Sequence, residues 1–249
     1  IKCLPTKIME RLDSTGDCEY VHAITGFGQF RFSMMKQRFG WEATIRLISQ
    51  EIPRFAASGM PTPCANLIKW NQGIILITGP AGSGKTTTMA TLVEMINQRR
   101  YEHIITLEDP IEIIYEAEHC QISQREIHTH TVSQESALRA ALREDPDVIV
   151  VGELKDLATM QLAIMAAETG HLVFSTLHTN SASQAIDRIL DSFEASQQSQ
   201  IRIQLASSLS GIFSQRLIPK ISGGRVPAYE LLINNAAVAN LIRDKRTHE

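Results

Sequence analysis

The sequence has few cysteines, few aromatic residues and almost no excess of either charge. Four cysteines among 249 residues, at positions 3, 18, 64 and 120, include no CxxC pair, which argues against a zinc site and a disulfide scaffold. The 24 basic and 27 acidic residues give a net charge of −3, without the basic excess of a dedicated nucleic-acid binder. No apolar run approaches the roughly 18 residues that a membrane-spanning helix needs. These absences predict a soluble globular protein of one or two domains with free thiols.

Two prolines and a glycine fall within residues 58–63, SGMPTP, which predicts a linker between a first domain at 1–57 and a second at 64–249. In the first domain, residues 29–34 and 41–47 alternate apolar and polar side chains, as half-buried strands do. Antiparallel pairing would turn Ile45 and Leu47 inward and place Arg31 and Arg46 together on the polar face. Taken alone, the two arginines could also be ordinary solvated strand residues.

The second domain alternates apolar runs of strand length with amphipathic segments, the pattern of a parallel sheet covered by helices. The expected strands are 74–78, 103–107, 148–151, 172–176 and 229–233. The expected helices are 85–97, 134–142, 157–169, 182–190 and one within 195–217. The sequence therefore predicts an α/β fold.

The stretch GPAGSGKT, residues 79–86, matches the phosphate-binding pattern GxxxxGK[ST] at every fixed position and follows the apolar run IILIT. Its glycines allow the backbone to wrap a phosphate and to turn N–H groups toward the oxygens. Lys85 supplies a positive charge for the β- and γ-phosphates of ATP, and the Thr86 hydroxyl can bind Mg²⁺. The expected nucleotide-binding residues are Gly79, Pro80, Ala81, Gly82, Ser83, Gly84, Lys85, Thr86 and Thr87.

Hydrolysis also needs a carboxylate that orients or deprotonates the attacking water. Two acidic clusters follow expected strands, TLEDPIE at 106–112 and DPDVIVVGE at 145–153. In the usual Walker B pattern an acid directly follows the apolar run, but here Gly152 occupies that place and the carboxylate comes next, at Glu153. Glu153 is therefore the candidate general base and a candidate Mg²⁺ ligand, with Glu108 as a second catalytic acid.

Histidines occur in two places that could matter for chemistry. His178 follows the expected strand 172–176, and its position at the carboxyl edge of the sheet suggests a sensor of the γ-phosphate. The tract HCQISQREIHTH, residues 119–130, fits no zinc spacing and is expected to form a polar loop.

Together, GPAGSGKT, TLEDPIE, VIVVGE and AETGHLVFSTLHT resemble the four motifs of the secretion ATPase superfamily, and specifically of the PilT-type motors of type IV pili. The resemblance implies a RecA-like P-loop ATPase domain preceded by a PAS-like α+β domain, which is expected to be partial here. It also implies a homohexamer that uses ATP and Mg²⁺ to drive pilus retraction in twitching motility. This ring would act at the cytoplasmic face of the inner membrane, docked peripherally on a pilus platform protein. In this family, arginines from the N-terminal domain contact nucleotide in the neighbouring subunit, and Arg31 and Arg46 match them.

Two departures bear on which member of the family the chain resembles. PilT-like proteins carry a stretch resembling AIRNLIRE, whereas this chain reads AVANLIRD, with Ala239 in place of the arginine. That leaves open a PilU-like accessory ATPase working with paralogous pilus ATPases. No cysteine follows Cys120, so the tetracysteine insertion of extension and type II secretion ATPases is missing, which favours retraction. A secretion, conjugation or nucleic-acid translocating ATPase and a catalytically silent ring partner also remain alternatives, although the charge argues against nucleic acid.

Overall fold

The chain divides between Glu51 and Ile52. In the computed structural model, which describes residues 4–249, the smaller unit comprises the residues up to Glu51 together with Pro110–Ile114. The larger unit comprises Ile52–Asp109 and Tyr115–Glu249. This division precedes the expected linker at 58–63, which lies within the larger unit, and it assigns part of the TLEDPIE motif to the smaller one. The expected limits of the functional domains remain a prediction.

The smaller unit is a helix and a three-stranded antiparallel sheet. Its elements are α1 (Thr6–Thr15), β1 (Asp17–Ile24), β2 (Gly28–Gln37) and β3 (Gly40–Ile48), with the strands in sequence order. The register pairs Arg31 directly with Arg46, which confirms the predicted pairing and shared face. The expectation that Ile45 and Leu47 point into a core is wrong, because they are 57% and 63% exposed. The buried cluster of this unit gathers around Leu12 of α1 and does not include the part of β3 that carries these two residues.

The larger unit contains a seven-stranded sheet in the order β10-β9-β4-β8-β7-β5-β6. Its strands are β4 (Gly73–Thr78), β5 (His103–Glu108), β6 (Gln121–Glu126), β7 (Val148–Glu153), β8 (Leu172–Leu177), β9 (Leu209–Pro219) and β10 (Arg225–Ile233). Its α-helices are α2 (Lys85–Asn97), α3 (Gln134–Ala141), α4 (Leu157–Glu168), α5 (Ala182–Asp191), α6 (Ala195–Ser208) and α7 (Ala236–Arg243). All strand pairs are parallel except β9 with β10.

Helices cover both faces of this sheet, which explains why its central strands read as continuous apolar runs rather than as alternating ones. Alternate residues of β4 belong to two different buried clusters: Ile74 and Leu76 to one, Ile75 and Ile77 to the other. The α/β fold class predicted from the sequence is confirmed. Within the described part of the chain, no helix combines the length and the apolarity needed to cross a membrane.

Two strands of the sheet were not predicted. The tract 119–130, expected as a polar loop, contains β6, because Gln121–Glu126 pair in parallel with β5 along its full length. At that sheet edge, hydrogen bonding in the ladder outweighs the weak apolar pattern of QISQRE. The helix expected within 195–217 ends at Ser208, and the chain continues as β9 between β4 and β10.

The cysteines are isolated from one another. Cys18, Cys64 and Cys120 are buried free thiols, and Cys3 lies outside the described residues. Burial raises the pKa of the Cys64 thiol to about 12, because a thiolate would lose its hydration in the apolar cluster around it.

Candidate nucleotide-binding site

The phosphate-binding loop lies between the end of β4 at Thr78 and the start of α2 at Lys85. Gly79 has φ +148° and, if it carried a Cβ, that atom would lie 2.2 Å from the backbone oxygen of Gln215. Gly84, at φ +90°, immediately precedes the helix. Only glycine fits these two positions without strain, so the glycines expected from the motif are required by the backbone itself. The loop opens on the amino end of α2, where backbone N–H groups favour an anion.

Lys85, the first residue of α2, is buried against this loop. Its ammonium group donates to the carbonyl oxygens of Gly79 (2.8 Å) and Pro80 (3.1 Å) and lies 3.2 Å from Nδ1 of His178. Burial lowers the pKa of Lys85, and the carboxylate of Glu153 partly offsets that effect by favouring the charged form. The ammonium group that is expected to bind the phosphates is therefore fixed by hydrogen bonds to the first two residues of the loop.

His178 connects Lys85 to Glu153. An ammonium group can only donate, so its contact makes Nδ1 the acceptor and leaves the proton of the neutral imidazole on Nε2. Nε2 lies 3.3 Å from Oε1 of Glu153, close enough for that proton to be shared with the carboxylate. The structure thus brings together three of the residues singled out from the sequence, as a chain of contacts from the loop to the candidate base.

Glu108 ends β5, the strand next to β7. Its Oε1 accepts hydrogen bonds from Thr106 Oγ1 (2.6 Å) and from Gln124 Nε2 (3.1 Å). Gln124 belongs to β6, so the unpredicted strand supplies one of the groups that orient this acid. The neighbouring Asp109 lies 3.6 Å from the ammonium group of Lys155.

Gln215 and Thr88 pack against the phosphate-binding loop, and the sequence analysis did not single them out. Gln215 Nε2 donates to the Ser83 carbonyl (2.6 Å), and its Oε1 accepts from the Thr88 hydroxyl (2.7 Å). The only signal in the sequence is a polar side chain within a strand that was itself unpredicted. Ser83 Oγ and Thr179 Oγ1 are buried without a hydrogen-bond partner among the described residues, so both can receive a polar ligand.

Arg31 and Arg46 lie in the smaller unit and differ in their surroundings. The guanidinium of Arg31 pairs with Glu19 and with Glu112 of the TLEDPIE motif, the latter at 2.6 Å. These two hydrogen-bonded carboxylates raise the pKa of Arg31 against the opposing effect of its burial. Arg46 is exposed, and among the described residues its side chain makes no ion pair or hydrogen bond. The neighbouring-subunit role expected of both therefore suits the free guanidinium of Arg46 better than the paired one of Arg31.

The residues expected to bind Mg²⁺ offer oxygen donors, which this ion prefers. The Thr86 hydroxyl is exposed on the first turn of α2, and Glu153 supplies a carboxylate. In the described ranges, no three His, Cys, Asp or Glu side chains are grouped so as to hold a metal ion. A donor set of one hydroxyl and one carboxylate fits a Mg²⁺ that takes its remaining ligands from phosphate and water.

The chain is similar in sequence to known proteins. A sequence profile of the family described as type II/IV secretion system protein matches residues 19–244. Uncharacterized protein YggR of Escherichia coli is 47% identical over 234 residues, which are 94% of this chain and 72% of that protein. The type IV pilus retractation ATPase PilT of Pseudomonas aeruginosa is 44% identical over 230 residues, which are 92% of this chain and 67% of PilT.

A solved structure is similar over nearly the whole chain. The crystal structure of the pilus retraction motor PilT with bound ADP matches with a TM-score of 0.92 and 49% identity. The match covers 98% of this chain and 71% of that one.

Proposed function

Because the chain belongs to the type II/IV secretion system protein family, we propose that it is an ATPase motor that drives type IV pilus retraction. The observation that carries the proposal is the chain of contacts from Lys85 through His178 to Glu153, directly beside the phosphate-binding loop. Lys85 supplies a cation that can bind phosphate, Glu153 supplies a carboxylate that can bind water, and His178 contacts both side chains. The assignment to pilus retraction is supported by the PilT relatives, whose names state that activity.

Nucleotide binding changes the partners of Lys85. In the structure its ammonium group is satisfied by the carbonyl oxygens of Gly79 and Pro80. Phosphate oxygens of ATP are better acceptors because they carry charge, so Lys85 would exchange these bonds for contacts to the β- and γ-phosphates. The hydroxyl of Ser83, which is buried and has no partner in the described chain, would join them.

Hydrolysis then depends on Glu153. Its carboxylate can orient and deprotonate the water that attacks the γ-phosphate, while His178 holds the carboxylate through Nε2. Thr86 and Glu153 would hold Mg²⁺, which neutralises charge on the transferring phosphoryl group. An arginine from a neighbouring subunit would add to that neutralisation, and Arg46 is the better candidate because Arg31 already pairs with Glu19 and Glu112.

The motor would be a homohexamer that docks on an inner-membrane platform protein, where turnover moves the subunits and the pilus is disassembled. One observation favours a second candidate, an accessory retraction ATPase of the PilU type. Ala239 stands where PilT-like proteins carry arginine, and it is buried against the core beside Ile242 of α7. This position therefore lacks the charged side chain that PilT-like proteins have there.

Phosphate release by the purified chain tests the enzymatic part of the proposal. Glu153→Gln should lower kcat by about 10²–10⁴-fold, the usual contribution of a general base, without loss of folding. Lys85→Ala should abolish nucleotide binding. Glu135→Gln is the matched control, because this acid lies on α3, outside the four motifs, where it pairs with Arg139 at 2.9 Å. Normal turnover by the Glu153 variant would remove its role as base.

A deletion strain tests the biological part. Cells that keep surface pili but no longer retract them would support a retraction motor, and unchanged retraction would contradict it. Partial loss that a paralogous ATPase compensates would indicate the accessory role. Stimulation of phosphate release by single-stranded DNA, with steep salt dependence, would point instead to a translocase.

A further inference from the structure

The phosphate-binding loop rests on a side chain from a strand that is distant in sequence. β4 ends at Thr78, which pairs with Ser214 of β9, and beyond this pair the chain of β4 turns away into the loop. β9 continues, so on the β4 side its next residue, Gln215, has the loop as its neighbour, while on the other side it still pairs with Tyr229 of β10. Gln215 is only 5% exposed, and both ends of its amide group are used.

The two hydrogen bonds fix the orientation of this amide. The Ser83 carbonyl can only accept, so the amide nitrogen must face it, at 2.6 Å. The Thr88 hydroxyl then donates to the amide oxygen at 2.7 Å. A flipped amide would place its oxygen against the Ser83 oxygen at this short distance, which is strongly unfavourable. Gln215 is thus held in one orientation by the loop and by α2 together.

Fixing the Ser83 carbonyl also fixes the N–H group that follows it. In a trans peptide the C=O and the next N–H point in opposite directions. With the Ser83 oxygen turned toward Gln215, the N–H of Gly84 is turned to the other side of the loop. Such backbone N–H groups are what a glycine-rich loop offers to phosphate oxygens.

The glycines of the loop press closely on the same residue. A Cβ at Gly79 would lie 2.2 Å from the backbone oxygen of Gln215, and a Cβ at Gly84 would lie 3.1 Å from its Nε2. The first and last glycines of the loop therefore both pack against Gln215.

We propose that Gln215 is a positioning residue that keeps the phosphate-binding loop preformed, so that nucleotide affinity depends on it while the hydrolytic step does not. Gln215 acts through Ser83 and Gly84, and it lies behind the loop rather than among the catalytic groups. The assignment rests on the proposed function, because it takes the loop to be the nucleotide site.

The test is a titration with a fluorescent ADP analogue, together with steady-state phosphate release. Gln215→Met keeps the length of the side chain but makes neither hydrogen bond. Because it leaves a buried carbonyl unsatisfied and the loop unsupported, it should weaken ADP binding by about 10–100-fold. KM for ATP should rise by a similar factor, while kcat at saturating ATP should stay within about threefold of wild type. The reason is that an interaction made equally in the ground state and in the transition state changes KM but not kcat when it is lost.

Ser214→Ala is the matched control. Ser214 precedes Gln215 in the same strand, is equally buried, and its hydroxyl also makes a short hydrogen bond, to Thr78 Oγ1 at 2.6 Å. The control loses a comparable buried hydrogen bond without touching the loop, so its ADP affinity should stay within about twofold of wild type on the same estimate of hydrogen-bond energies. Equal weakening in both variants would mean that Gln215 acts only through general stability and would overturn the proposal.

Thr88→Val tests the same arrangement from the other side. It is isosteric, removes the hydroxyl that orients Gln215, and should weaken ADP binding by about 3–10-fold, less than Gln215→Met. Should Gln215→Met fail to fold, unchanged affinity in Thr88→Val would overturn the proposal. A fall in kcat at unchanged KM in either variant would also overturn it. A wild-type chain that does not bind the ADP analogue would instead refute the proposed function itself.

Discussion

Restoring the usual Walker B acid should damage this protein rather than improve it. The chain has Gly152 where that acid normally stands. A Cβ at this position would lie 3.3 Å from the Leu107 carbonyl of the adjacent strand and 3.9 Å from Cα of Glu108. The nearest of these atoms is backbone within a paired sheet, so it cannot swing away as a side chain would. Gly152→Asp adds to this tight contact a negative charge beside Glu108.

The size of the effect follows from these contacts. Forcing one atom into a packed site costs about 1 kcal/mol at the low end of overpacking, which lowers Tm by about 2–4 °C in a chain of this size. Gly152→Ala measures that contact alone. Gly152→Asp adds like-charge repulsion and a larger side chain, for a total of about 3 kcal/mol, or about 6–12 °C.

The activity should fall as well, because Gly152 also positions Glu153. Its carbonyl oxygen accepts hydrogen bonds from Thr176 Oγ1 (3.0 Å) and Ser175 Oγ (3.3 Å), where the pairing of β7 with β8 shifts by one residue. Displacement of this peptide moves the candidate base, and a loss of about 1.4 kcal/mol in positioning is a tenfold loss in kcat. Thermal denaturation and phosphate release measure the two effects. A Gly152→Asp variant that is as stable as wild type, or faster, would refute the reasoning.

Two further predictions follow from the environments of single side chains. Arg46→Ala should lower phosphate release by the assembled protein by about 10³-fold, as the loss of an arginine finger does, and should leave Tm unchanged. Arg31→Ala should lower Tm, because Glu19 and Glu112 lose the partner that they share. The opposite pattern would exchange the roles of the two arginines. Cys64 should resist iodoacetamide at pH 8 in the native chain and react after denaturation, as mass spectrometry can measure, because burial raises its pKa from 9.0 to about 12. Since the folded pKa is the higher one, this thiol stabilises the fold fully below pH 9, and that contribution is lost as the pH rises toward 12.

The local parts of the site could be predicted from the sequence, because they depend on neighbouring residues. The limits of α2 agree with the expected 85–97, since the loop motif fixes where a helix can begin. The five strands expected from apolar runs are all present, with longer limits. Each of these predictions needed only the pattern within one short stretch of chain.

What could not be predicted depends on contacts between distant residues. β6 forms because it can pair with β5, and the sequence QISQRE contains no pattern that indicates this pairing. The support of the loop by Gln215 joins residues 127 and 132 positions apart. The pairing of Arg31 with Glu112 joins residues 81 apart and assigns part of an ATPase motif to the smaller unit. Alternation gave the correct face for Arg31 but could not indicate its partners.

The order of the strands explains why His178 lies between Lys85 and the candidate base. Along the chain, Lys85 comes first, Glu153 second and His178 last, but in the sheet β8 lies between β4 and β7. The strand that leads to the histidine thus lies between the strand that leads to the lysine and the strand that ends in the glutamate. Within the described residues, the His178 imidazole contacts both groups, with Nδ1 toward Lys85 and Nε2 toward Glu153. In the proposed mechanism phosphate draws Lys85 away and Nδ1 loses its donor, so we expect nucleotide binding to change the hydrogen bonding of the histidine that contacts the candidate base.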